Sequence, residues 1–124
     1  MELTLERPDY EFFLRAADGS MALVNDRRLT RSFVITPNHL SEDWGVRDMQ
    51  DLDPSDLDPL LALEPEVVII GGGGQQVFAP AKVMAVCLRR GIGIEVMTNA
   101  AAARTFSVLA SENRRVVAGF VLPG

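Results

Sequence analysis

From Pro65 onward, three apolar runs alternate with two helical stretches, and this alternation constrains the fold more than any other feature. The runs are EVVII (Glu66–Ile70), GIEVM (Gly93–Met97) and RRVVAGFVL (Arg114–Leu122). EVVII is apolar without interruption after Glu66, as in a strand covered on both faces. The segment PAKVMAVCLRRG predicts a helix. Pro80 suits its first turn, Arg89 and Arg90 suit its negative end, and Gly91 can take the left-handed cap. NAAAARTFSVLASEN predicts a second helix, with Asn99 as N-cap and Asn113 as C-terminal stop. A strand, a helix and a strand in succession imply a parallel pair joined by a crossover. The expected fold is therefore α/β, one domain over residues 1–124, with a mixed sheet flanked by helices.

The upstream half reads differently. YEFFLRAA and MALVN flank Asp18-Gly19-Ser20, a turn signal that predicts an N-terminal β-hairpin. RLTRSFVIT predicts one further strand, ended by Pro37 and Asn38. Residues 37–58 read as a loop. Between Glu42 and Asp58 it holds seven acids against one arginine, Arg47. Trp44 and Met49 are its apolar residues, expected to pin it to the body of the domain. DLDPSDLD within it lacks the central glycine and terminal glutamate of a calcium loop. Asp53 or Ser55 can instead cap a short helix running to Leu63, with Pro59 near its first turn.

Composition narrows the partners. Of 124 residues, 48% are hydrophobic, enough for one real core. The net charge is −5, which argues against nucleic acid or an anionic membrane as main partner. One cysteine excludes an internal disulfide and suits a reducing compartment. The opening MELTLERPDYEFF reads as neither signal nor transit peptide, and no run approaches a membrane span. The expectation is a soluble, cytoplasmic chain without membrane insertion.

The stretch Gly71-Gly72-Gly73-Gly74-Gln75-Gln76 is the candidate for chemistry. A dinucleotide loop needs G-x-G-x-x-G, and here the third glycine position is Gln76. A P-loop needs a Gly-Lys-Ser/Thr ending, which is missing. Two readings stay open: a structural turn that uses the conformational freedom of glycine, or a small-molecule or anion site built on bare amides. The turn and Thr98-Asn99 both follow parallel strands, so both emerge at the carboxyl edge, where open α/β sheets place ligands. Gln75, Gln76, Thr98, Asn99 and Arg104 can supply polar contacts there. For Arg104, in the second turn of its helix, a surface salt bridge is the plainer expectation.

Other candidates carry less. Cys87 lies mid-helix among Val83, Met84, Val86 and Leu88 and reads as a small buried hydrophobe. His39 sits in a polar loop, and one cysteine with one histidine makes no usual zinc set. No serine lies in a G-x-S-x-G elbow. No catalytic set, metal site or cofactor is expected.

Residues 66–122 resemble a family of small domains of unknown function. It includes the third assembly factor of mitochondrial respiratory complex I and an adipogenesis-associated protein. The family pattern is an apolar strand, a glycine turn and a proline-started helix. Gly-Ile-Gly-hydrophobic-Glu-hydrophobic-Met and a helix carrying Arg-Thr follow. Gly91-Ile92-Gly93-Ile94-Glu95-Val96-Met97 and Arg104-Thr105 match it, and the acidic loop with Trp44 and the helix near Leu57–Leu63 look like its middle section. The chain departs from the pattern at the turn, where glycine replaces threonine. It departs again at Thr98-Asn99 for Asp-Thr, at Ala103 for cysteine, and at Phe106-Ser107 for Tyr-Asn. The resemblance implies a three-layer α/β fold whose last strand is antiparallel to its neighbours. It implies no established enzyme activity.

Two functional expectations follow. The first is a non-enzymatic interaction or assembly protein with another protein as partner, linked by the resemblance to respiratory complex I assembly. The second is a small-molecule or anion-binding domain using Gly71–Gly74 and the Thr98-Asn99 helix start. Homo-oligomerisation is compatible with either.

Overall fold

The structure, a computed structural model, describes residues 10–124. Most of the opening segment read for targeting signals, MELTLERPD, lies outside the described residues. The chain runs β1 (Leu14–Ala17), β2 (Ala22–Val24), β3 (Arg27–Leu29), β4 (Arg31–Thr36) and β5 (His39–Ser41). Two 3-10 turns (Met49–Asp51 and Pro54–Leu57) and α1 (Asp58–Leu61) come next. Then come β6 (Val67–Gly71), α2 (Ala81–Arg89), β7 (Gly93–Met97), α3 (Asn99–Ser111) and β8 (Val116–Pro123).

The first three strands make a three-stranded antiparallel sheet, and the others a five-stranded mixed sheet in the order β5-β4-β8-β6-β7. The three-layer α/β expectation is met. Strands β6 and β8 are buried on both faces, so their side chains alternate between two cores. Ile69, Val116, Ala118, Phe120 and Leu122 face α3 and the small sheet. Val68, Ile70, Val117 and Val121 face α1, α2 and the Trp44–Leu52 segment. Phe33 and Phe120 lie opposite each other on β4 and β8 and stack at 5.0 Å.

The topology reverses at β6. The chain leaves β6 through α2 to reach β7 on one side. It leaves β7 through α3, on the opposite face, to reach β8 on the other side of β6. Opposite directions on opposite faces keep both crossovers of one hand. The last strand is antiparallel to β4, but it is parallel to β6, because α3 returns the chain to the starting edge before β8 begins.

Three local expectations are corrected. RLTRSFVIT is divided between two sheets. Leu29 and Phe33 are both buried on the α3 side while Arg31 is exposed, so no single period-two strand can hold all three. The chain switches sheets at Thr30, and the ladder is irregular between Arg31 and Phe33. Ser32 fills that irregularity: its hydroxyl accepts from the Leu122 N–H at 2.8 Å and donates to the Val46 carbonyl. Pro37 and Asn38 are a hairpin turn, and His39 lies on β5 rather than in a loop. The α3 N-cap is Thr98, whose hydroxyl accepts from the Ala101 N–H at 3.2 Å, and Asn99 is the first helical residue.

In the acidic segment Asp53 is a cap as expected, but it caps a 3-10 turn, and the α-helix that follows spans only Asp58–Leu61. Asp53 and Asp56 form a reciprocal capping box around the second 3-10 turn. Trp44 is buried and donates its indole N–H to the Asp56 carbonyl at 2.9 Å. The outer end of its ring packs against Gly119 of β8, where an added Cβ would stand 2.6 Å from the indole. Gly119→Ala must push the ring or the strand apart and is expected to cost about 1–3 kcal/mol, as overpacking does. Urea denaturation checks this, with Gly45→Ala as the comparison, since a Cβ at Gly45 meets nothing within 4 Å.

Candidate functional site

Adjacent parallel strands whose outgoing connections turn to opposite faces leave a crevice at their carboxyl ends, and open α/β sheets bind ligands there. In this chain that crevice lies between the β6–α2 turn and the start of α3. It contains the glycines, Thr98 and Asn99, so the structure brings these sequence candidates together.

The crevice is closed by the chain's own groups. Asn99 is fully buried. Its Oδ1 accepts from the Gly73 N–H at 3.1 Å, and its Nδ2 donates to the Asp18 carbonyl at 2.9 Å and the Val121 carbonyl at 3.1 Å. Its own N–H donates to the Gly73 carbonyl at 2.8 Å, and the Gly72 N–H donates to the Met97 carbonyl at 2.9 Å. One amide side chain thus ties the glycine turn, the β1–β2 turn and β8 together. The local sequence permits it at two points. A Cβ at Gly71 would lie 2.4 Å from Asn99 Oδ1, and Gly73 holds a φ of 120° that side chains rarely adopt.

These bonds decide what the turn can offer. The Gly72 and Gly73 N–H groups, and the first and third N–H groups of α3, all donate within the chain. Gln75 and Gln76 are exposed beyond the closed part of the turn. Arg104 is exposed in the second turn of α3 and forms no ion pair among the described residues, so the expected surface salt bridge is not seen there. At the neighbouring β1–β2 turn, the N–H and hydroxyl of Ser20 and the N–H of Met21 donate to Asp18, holding its carboxyl below the usual range.

Beside the closed crevice lies an open cleft of about 650 Å³. It is lined by Gly72 and Gly73 of the turn, by Arg47, Asp48, Met49 and Gln50, and by Val77–Pro80. Asp48 is occupied in capping the first 3-10 turn through the Gln50 N–H at 2.9 Å. Phe78 stands on the rim with 90% of its surface exposed. The sequence reading missed Arg47–Gln50 and Phe78. An aromatic residue in a loop between glycines and proline was the available signal. Elsewhere, Cys87 is buried as expected, and burial pushes its thiol up, away from nucleophilic use, against a smaller pull from Arg90. Among the described residues no group of histidine, cysteine and carboxylates is placed to hold a metal ion.

Fold and site define a small α/β domain whose switch-point crevice is filled by an internal amide. The chain belongs to the family described as protein of unknown function (DUF498/DUF598), whose model matches residues 14–121. A Xanthomonas campestris protein solved by NMR is 50% identical and superposes with a TM-score of 0.85, covering 100% of this chain and 94% of that one. A Bordetella pertussis protein described as a Mth938-like domain is 27% identical with a TM-score of 0.78, covering 100% of this chain and 94% of that one. Two curated relatives match over shorter stretches. The "13 kDa major membrane protein" of Francisella tularensis is 32% identical over 57% of this chain and 58% of its own length. The zebrafish "NADH dehydrogenase [ubiquinone] 1 alpha subcomplex assembly factor 3" is 33% identical over 64% of this chain and 47% of its own length. The chain therefore spans about half the length of the curated relatives it matches. Among the described residues no helix is long and apolar enough to cross a membrane.

Asn99→Ala leaves the Gly73 N–H and two carbonyls without partners, and it is expected to cost about 3 kcal/mol in urea denaturation. Asn99→Asp keeps the shape but cannot donate to the Asp18 and Val121 carbonyls when ionised, so at neutral pH it is expected to be no more stable than the alanine variant.

Proposed function

We propose that this chain is a non-enzymatic interaction module that works by associating with another protein, as an assembly factor does. The observation carrying the reading is the contrast at the carboxyl edge. The polar groups of the crevice are spent inside the fold, while the adjoining rim projects Phe78 into solvent. Exposed aromatic side chains beside a cleft suit protein recognition, where such residues supply large contact area. The name of the zebrafish relative supports the same mode, and respiratory complex I assembly is the setting it suggests. The net charge of −5 supports a protein partner over nucleic acid. The reading places the chain in the cytoplasm, without insertion into a membrane.

A photoreactive benzoylphenylalanine at position 78, introduced in cells, is expected to yield a discrete protein adduct. The same group at exposed Glu112, at the far end of α3, is expected to yield none. Absence of an adduct at position 78, together with amide shifts at Gly74–Gln76 on adding nucleotide, phosphate or small carboxylates, would favour the ligand-binding alternative instead.

A further inference from the structure

Strand β7 is one edge of the large sheet, and among the described residues no strand lies beyond it. In a parallel ladder successive residues turn their N–H and C=O groups to alternate sides. The Gly93 N–H donates to the Glu66 carbonyl at 3.3 Å, and the Met97 carbonyl accepts from the Gly72 N–H at 2.9 Å. Gly93, Glu95 and Met97 are therefore the residues bonded to β6. The N–H and C=O groups of Ile94 and Val96 point away from the sheet and find no partner among the described residues. Such a row of donors and acceptors at strand spacing accepts one kind of cover, another extended backbone. Edge strands are usually blunted by shortness, a bulge, proline or lysine. The opposite edge, β5, is three residues long. β7 pairs over five residues in unbroken register, with no proline or lysine and with Glu95 as its one charge.

The two faces beside that edge differ. Ile94 and Val96 belong to the core under α2 and Met97 to the core under α3, so Glu95 stands on the α3 face. It is exposed and forms no ion pair among the described residues. On the other face α2 packs on β7, while α1 packs on β8, further into the sheet. Lys82 meets Asp53, just ahead of α1, at 3.5 Å, which fixes the flank of α2 that looks toward the sheet interior. Met84 and Leu88, one turn apart, lie across the buried Val83–Cys87 line from Lys82. They therefore overhang the outside of β7, Met84 half-buried and Leu88 64% exposed.

We infer that the free edge of β7 takes up an extended segment of a partner protein that alternates apolar and basic residues. The backbone of the segment pairs with Ile94 and Val96. Its apolar side chains enter the space beneath Met84 and Leu88, and a cation on its other face meets Glu95. A second copy of the chain fits less well. The antiparallel register that pairs both Ile94 and Val96 across a two-fold axis sets Glu95 directly against the same residue of the copy, like charge on like. The inference rests on the protein-association reading and adds to it a second contact surface and the chemistry of the segment bound there.

The test begins with amide hydrogen exchange in the free ¹⁵N-labelled full chain. The Ile94 and Val96 N–H groups are expected to exchange faster than those of Glu95 and Met97. The chain is then titrated with three synthetic peptides, in which valine alternates with lysine, with glutamate, or with lysine on an N-methylated backbone. The unmodified lysine peptide is expected to shift the Ile94 and Val96 amides and slow their exchange. It is expected to bind at least about five-fold more tightly than the glutamate peptide, and the N-methylated peptide is expected not to bind. Glu95→Lys, at an exposed position, is expected to reverse the preference with an unchanged unfolding midpoint. Leu88→Ser is expected to weaken binding of the lysine peptide about three-fold or more. Equal binding of the lysine and glutamate peptides, equal binding of the N-methylated peptide, or shifts confined to other strands overturns the inference. So does slow exchange of Ile94 and Val96 before any peptide is added, since a second copy or the chain's own residues then occupy the edge. If position 78 crosslinks a protein in cells while the peptides leave β7 unmoved, the association reading stands and this inference alone falls.

Discussion

The carboxamide of Asn99 is the interaction on which the rest of the arrangement depends. It is fully buried and is bonded at both ends, to an N–H on one side and two carbonyls on the other. A buried amide with satisfied partners specifies a unique geometry, because any shift leaves polar groups unpaired in a low dielectric. Here the groups it satisfies belong to three separate segments: the β6–α2 turn, the β1–β2 turn and β8. The turn of the small sheet is thereby tied to β8 and to the β6–α2 turn of the large one.

The same contact occupies the place where this architecture usually binds ligands. A doubly wound sheet offers a crevice where its order reverses, and nucleotide-binding folds keep turn and helix amides free at that place. In this chain the corresponding amides donate internally, and the glycines accommodate the Asn99 side chain. Gly71 leaves the space that Oδ1 occupies. What remains outward-facing beside it is the open cleft, with Phe78 exposed on its rim. Closure of the crevice and exposure of the rim occur side by side at the carboxyl edge, and that contrast is the basis for proposing association with another protein.

Much of this was legible in the sequence, and the losses have physical causes. The strand–helix alternation after Pro65 was readable because β6 and β8 are buried on both faces and the helices carry strong end signals. Pro80 is the residue before α2, and Gly91 and Asn113 take positive φ where stops were expected. Trp44 was readable as a pin, but its partner Gly119 was not, since contact between distant segments leaves no local pattern. Thr98 and Asn99 are both good N-caps by type; tertiary burial, not propensity, made Asn99 the bridge and Thr98 the cap. The division of RLTRSFVIT at Thr30 and the short strand β5 depend on which sheet each residue reaches. The course of the last strand was decided by α3 crossing over β6, a property of connection rather than composition.

The most direct measurement of the central claim is amide hydrogen exchange read residue by residue in the native chain. The account predicts that the N–H groups of Gly72 and Gly73 and the Asn99 side-chain amide exchange as slowly as the β6 core. Gly74 to Gln76, whose N–H groups find no comparable partner among the described residues, are expected to exchange quickly. Free exchange at Gly72 and Gly73, with protection appearing only when an anion is added, would contradict it and return the crevice to the class of ligand sites.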